Sequence, residues 1–196
     1  MATYAEVQAM ILNDLHRADI TAEVQTAMAN ILPKLRMDRY FFNEIASNFT
    51  TTTNSEYDLS TALPRMLQID EIRVWDNGTP YVLMRSHWND LYTEDESDTT
   101  GCPTHWAVHH QMMRLFPSPD TSYSVEAIGL ADLSLSAWCS YAPTLVRAAA
   151  EVELYALVTH DMEGAQRAME VAKAEREYLL RRPMTYAAGG ELRPYL

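Results

Sequence analysis

Apolar and polar positions alternate most clearly in the stretch Glu56–Met84. Ile72 and Val74 flank Arg73, a period of two that predicts a half-buried strand. Asp76-Asn77-Gly78 follows, and these residues accept the positive φ that a tight hairpin turn needs. Tyr81 and Leu83 resume the alternation, with Pro80 marking a strand start or an exposed edge. Tyr57 and Leu59 form a short strand upstream that ends at Pro64, so 57–84 is one β-hairpin region. A second is expected at 108–129. Residues 105–116 fit a helix or an extended segment, and Met113 and Leu115 favour the strand. Pro117-Ser118-Pro119-Asp120 then makes a hairpin-like connection to Tyr123, Val125 and Ala127, ending near Gly129. Between Asn48 and Thr53, Phe49 among threonines reads as an edge strand or a loop.

Outside these regions the period lengthens to that of a helix. Thr3 and Glu6 form a capping box, and Val7, Met10, Ile11 and Leu15 follow on one face, predicting a helix over 4–17. Val24, Ala27, Met28, Ile31 and Leu35 predict a second over 21–46, kinked or split at Pro33. Leu145, Ala148, Val152 and Tyr155 predict a third over 142–159, with Pro143 in its first turn. Asp161 caps a fourth over 161–181, whose alanines allow close approach to the third. The fold expected is α+β but mainly α. It is a helical bundle of two N-terminal helices and a C-terminal antiparallel helix pair, with small β-hairpins and an extended C-terminal tail. Residues 1–182 form one domain on this reading. The tail, 183–196, has Gly189-Gly190, no helical period and an apolar, aromatic end, and in isolation is expected to be disordered.

Composition narrows the function. A chain of 196 residues buries roughly 70% of its unfolded surface, so it folds without a metal or a disulfide. Net charge is −12, which argues against holding a phosphate backbone through Lys and Arg. Two cysteines make no disulfide framework, no secretory segment is expected, and no apolar run reaches the roughly 20 residues of a membrane span. The expectation is a soluble protein made in a reducing cytoplasm.

Candidate chemistry is sparse. His105 and His109, with His110 beside them, would share a face of a helix and could start a metal site. On a strand they stand about 13 Å apart, too far for one tetrahedral ion. No His-Glu-x-x-His, Gly-rich phosphate loop or serine nucleophile elbow occurs. Neither catalytic residues nor a cofactor or metal site is expected, and a metal-dependent enzyme built on His105, His109 and His110 is the remote alternative. The acidic run with Glu94, Asp95, Glu96 and Asp98 lacks the glycine-centred spacing of a calcium loop and reads as a solvated loop. Tyr40, Phe41 and Phe42 read first as core and second as an anchor between subunits.

The order of motifs carries more than any one of them. Arg39-Tyr40-Phe41-Phe42-Asn43-Glu44 ends the second helix, then come Phe49-Thr50-Thr51-Thr52, Tyr57-x-Leu59 and Leu63-Pro64. Gly101-x-Pro103-Thr104-His105-Trp106, Leu115-Phe116-Pro117-x-Pro119-Asp120 and Asp161-x-Glu163-x-Ala165 complete the series. This series resembles the head-to-tail adaptor, or connector, proteins of tailed bacteriophages, over most of residues 3–182. Pro33 and the acidic insertion at 93–100 depart from the pattern.

The resemblance implies a non-enzymatic virion protein of the neck, between the capsid portal and the tail. It implies a closed ring of about twelve copies joined head to tail by two different patches. Such a ring extends the DNA channel and offers a platform for tail or nozzle proteins, and a tail terminator or nozzle subunit is the alternative. A dozen copies at −12 would carry a charge on the order of −140, so genomic DNA passes without specific binding. Tyr186, Leu192, Arg193, Tyr195 and Leu196 are the expected portal anchors in the tail. The loop of Glu94, Asp95, Glu96 and Asp98 is expected to face the channel or the next tail protein.

Overall fold

The computed structural model describes residues 1–94 and 99–181. They form two compact units. One comprises residues 1–43 and the chain from Leu133 onward; the other is the continuous segment Glu44–Asp132.

The first unit is helical. Helix α1, Tyr4–Asp14, starts at the expected capping box: the Glu6 amide donates to Thr3 Oγ1 at 3.2 Å and the Thr3 amide to Glu6 Oε2 at 2.7 Å. It stops short of residue 17, because His16 adopts a left-handed φ of 51°. Helix α2, Thr21–Leu35, carries Pro33 in its last turn and buries Val24, Ala27, Met28, Ile31 and Leu35. Helices α5 (Leu135–Tyr141), α6 (Pro143–Leu154) and α7 (Met162–Leu180) complete the unit. A π-helical stretch, Tyr155–Thr159, follows α6, and His160 in the left-handed region ends it. Asp161 caps α7 by accepting from the Gly164 amide at 2.9 Å; α7 packs along α6 and buries Ala165, Ala168 and Leu179.

The expected helix over 21–46 is thus too long by a turn and a strand. The chain turns sharply at 38–43 and then becomes strand β1, Glu44–Thr50. The turn is held by Asn43, whose Oδ1 accepts from the Tyr40 amide at 2.7 Å and whose Nδ2 donates to the Asp38 carbonyl at 2.8 Å. An Asn side chain that substitutes for backbone partners in this way competes with continuing the helix.

The second unit overturns the expectation of a mainly helical bundle. Among the described residues it holds two four-stranded sheets. The remaining strands are β2 (Glu56–Asp58), β3 (Met66–Asp76), β4 (Thr79–Val82), β5 (Met84–Arg85), β6 (His105–His109), β7 (Met112–Phe116) and β8 (Ser124–Ala131). Two short helices accompany them, α3 (Leu59–Ala62) and α4 (Trp88–Glu94). One sheet runs β1-β8-β3-β4, antiparallel throughout; the other runs β2-β7-β6-β5, with only β5–β6 parallel. Ile69, Ile72, Val74, Val125 and Ala127 of the first sheet and Trp106, Met113 and Leu115 of the second share one apolar core.

The hairpin at 76–79 forms as expected, with Asn77 at φ 49° and Gly78 at φ 81° between β3 and β4. The hairpin expected at 108–129 does not. Strand β7 pairs instead with β6 across the two residues His110-Gln111, and β8 lies in the other sheet between β1 and β3. The closer partner costs β7 less loop entropy. The start of β8 is drawn to β1 by Thr51, whose amide donates to the Tyr123 carbonyl at 2.9 Å while its hydroxyl accepts from the Tyr123 amide at 2.8 Å.

Candidate interaction surfaces

The aromatic run at 40–42 sits inside the helical unit. Tyr40 and Phe42 are buried and Phe41 is partly so. Phe42 meets the Trp138 ring edge-on at 5.1 Å and stacks on Tyr141 at 5.2 Å, and Tyr40 meets Trp138 edge-on at 5.5 Å. These geometries suit the ring quadrupoles, so the run has a packing role in the single chain.

Beside it lies a polar clamp. Arg176 on α7 forks onto Asp38 with two hydrogen bonds of 2.6 Å, and the Tyr40 hydroxyl donates to the same carboxylate at 2.9 Å. The Arg176 guanidinium holds the Asp38 carboxyl below its ordinary range, and burial followed by Asp38 pushes the Tyr40 phenol up. The turn at 38–43 is therefore tied to the last third of α7, the helix that leads into the C-terminal tail. The pair is separated by 138 positions, and nothing local in the sequence signals it.

A second polar cluster joins α1 to α6. Arg147 approaches Asp14 at 3.4 Å and Glu151 at 3.6 Å, and Glu151 is buried. Desolvation first, then the Asp14 carboxylate, raises the Glu151 carboxyl to about 7, against the lowering effect of Arg147.

In the sheet unit, His105 and His109 lie on strand β6 and not on a helix. The His105 ring contacts the Thr104 hydroxyl at 2.8 Å, while the His109 ring packs against Trp88 at 5.6 Å and against His110 at 4.2 Å. Among the described residues no three His, Cys, Asp or Glu side chains are grouped to hold a metal ion. A cleft of about 210 Å³ opens near the same hairpin. Its floor is Leu63, Ile69 and Trp106, all buried, and its rim includes Leu67, Arg85 and His110, all exposed. The Arg85 guanidinium lies over the Trp106 ring, 5.3 Å from its centroid. No sequence motif marks this cleft, because α3, β3, β5 and β6 meet there only in three dimensions.

Glu94 closes α4, and Asp95, Glu96 and Asp98 lie outside the described residues, as do Tyr186, Leu192, Arg193, Tyr195 and Leu196.

A family model described as SU10 adaptor protein matches residues 2–192, nearly the whole chain. The chain belongs to this family of phage head-to-tail adaptors. No curated protein matches it. Membership makes it a virion component of the neck, where adaptors associate with portal and tail proteins. Among the described residues no helix is long and apolar enough to cross a membrane.

Proposed function

We propose that the chain is a ring-forming adaptor subunit that sits beneath the portal, extends the DNA channel and carries the tail or nozzle proteins. The observation that carries this reading is the family match across residues 2–192. The net charge of −12 supports it, since a channel lined by like charge does not retain DNA. About twelve copies would close head to tail through two different patches. The work of such a subunit is structural, with no reaction to catalyse. Residues 183–196 dock on the portal, with Tyr186, Leu192, Arg193, Tyr195 and Leu196 as anchors, as an apolar and aromatic segment that follows a helix stop is suited to do. The acidic residues Glu94, Asp95, Glu96 and Asp98 face the channel or the next tail protein.

The test is mass in solution, for the chain alone and mixed with the portal ring of the same phage. Joining the portal in a fixed multiple near the ring symmetry is the expected result. Removal of Pro183–Leu196 is expected to abolish joining while helicity is unchanged. A chain that ignores the portal and closes its own ring would be a terminator or nozzle subunit instead, and would overturn the proposal.

A further inference from the structure

We propose that the cleft beneath Arg85 is a docking site for a segment of a partner protein that presents one large aliphatic or aromatic side chain next to a carboxylate. The cleft is built from residues of the unit Glu44–Asp132 and uses none of residues 183–196, so either reading can fail without the other.

Shape and apolarity come first. A space of about 210 Å³ above Leu63, Ile69 and Trp106 holds one large side chain, and the exposed Leu67 at its rim extends the apolar wall. Burying that side chain supplies the attraction, and it also makes the site a poor match for a bare phosphate backbone.

Charge comes second. Arg85 is exposed in a chain of net charge −12, yet among the described residues no carboxylate pairs with it; its contact is the Trp106 ring. The ring holds the guanidinium in place and leaves its N–H fork for a carboxylate. The backbone adds a donor. Strand β5 is the outermost strand of its sheet, and the amides of Met84 and Ser86 donate to Thr104 and Trp106 carbonyls at 2.9 and 2.8 Å. Alternation along the strand turns the Arg85 amide the other way, toward the edge of the sheet that carries no partner strand among the described residues. A cation and a backbone N–H thus belong to one residue at the mouth of an apolar cleft. The His110 imidazole, on the turn that its φ of 55° helps to form, is a further hydrogen-bonding group on the rim.

The experiment uses the full chain, isotope-labelled, with the Trp106 indole N–H and the Arg85 side-chain N–H followed by NMR. The probe is the peptide acetyl-Gly-Leu-Glu-Gly-amide, compared with its Gln-for-Glu and Ala-for-Leu counterparts. Saturable shifts at both reporters are expected, with binding about tenfold weaker when the carboxylate is lost, the effect of one charge-assisted hydrogen bond. A similar weakening is expected when the leucine is cut to alanine. Arg85→Gln, at an exposed position, keeps the dispersed spectrum but binds the Glu and Gln peptides alike. The proposal is overturned by the absence of saturable shifts at Trp106, or by equal binding of the Glu and Gln peptides to the native chain. A stronger response to a duplex oligonucleotide than to the peptide would assign Arg85 to phosphate and also end it.

Discussion

Glu151 is a buried carboxyl of the helical unit whose ionisation is opposed by its surroundings. Its carboxyl is buried between α1 and α6, and Asp14 faces it from α1 while Arg147 lies one turn back on α6. The charges of Asp161 and Arg167, from α7 and its cap, act on the neighbouring Tyr155. The folded value of Glu151 is about 7 against an ordinary 4.5, so the folded state holds a proton that the unfolded chain releases. That contribution to stability is full below 4.5 and fades as pH rises to about 7. Glu151→Gln keeps the neutral shape and removes the titration. The variant should melt higher than the native chain at pH 8 and nearly level with it at pH 4, as thermal unfolding followed by circular dichroism will show. A native-minus-variant difference that does not change between these pH values would contradict the assignment.

Residue-scale roles were unevenly legible. Thr3 and Glu6 could be read as a capping box because both partners lie within one turn. The expectation that the aromatic run at 40–42 belongs to a core is matched by Trp138 and Tyr141, which reach it from a helix nearly a hundred positions away. The Asp38–Arg176 clamp had no such local sign.

At the level of elements, the most exacting contact is between β8 and β3. Gly129 lies opposite Ile69, where the register of β3 shifts, and a side-chain carbon there would stand 1.9 Å from the Gln68 carbonyl oxygen. No rotamer relieves a clash with backbone. Gly129→Ala should therefore cost about 1–3 kcal/mol, the range for forced overpacking. Denaturant unfolding measures this directly, and a midpoint unchanged from that of the native chain would mean that the strands are less tightly joined than described. Elements whose cause is local were legible: the Asn77-Gly78 turn depends on two adjacent residues that tolerate positive φ. Elements decided by distant partners were not. Strands β7 and β8 alternate as a hairpin would, but alternation does not name a strand's partner, and each found two partners elsewhere. The mainly helical expectation failed for this reason. Short strands such as β2, β4 and β5 carry too few residues to show a period, and they count only once they join a sheet.

The whole molecule divides where the chain leaves Asn43 and returns at Leu133. The ends of the sheet unit are neighbours, because Glu44 pairs with Leu130 in the first sheet. A segment with its own core and adjoining ends meets the requirements for independent folding. Residues 44–132 made alone should unfold cooperatively and keep native-like dispersion in NMR, whereas a spectrum of an unfolded chain would show that the helices are needed.

The same arrangement sets an order of events during synthesis. Helices α1 and α2 pack against α6, so the first 43 residues leave the ribosome without the partner that buries their apolar faces. The sheet unit emerges complete while they wait, and at about 5–20 residues per second the delay lasts several seconds. For that time Val7, Ile11, Val24, Met28 and Ile31, all buried in the native unit, lie on helices that lack their later partners α5 and α6. The nascent chain is then open to chaperones and to other copies of itself, before any of the neck is assembled.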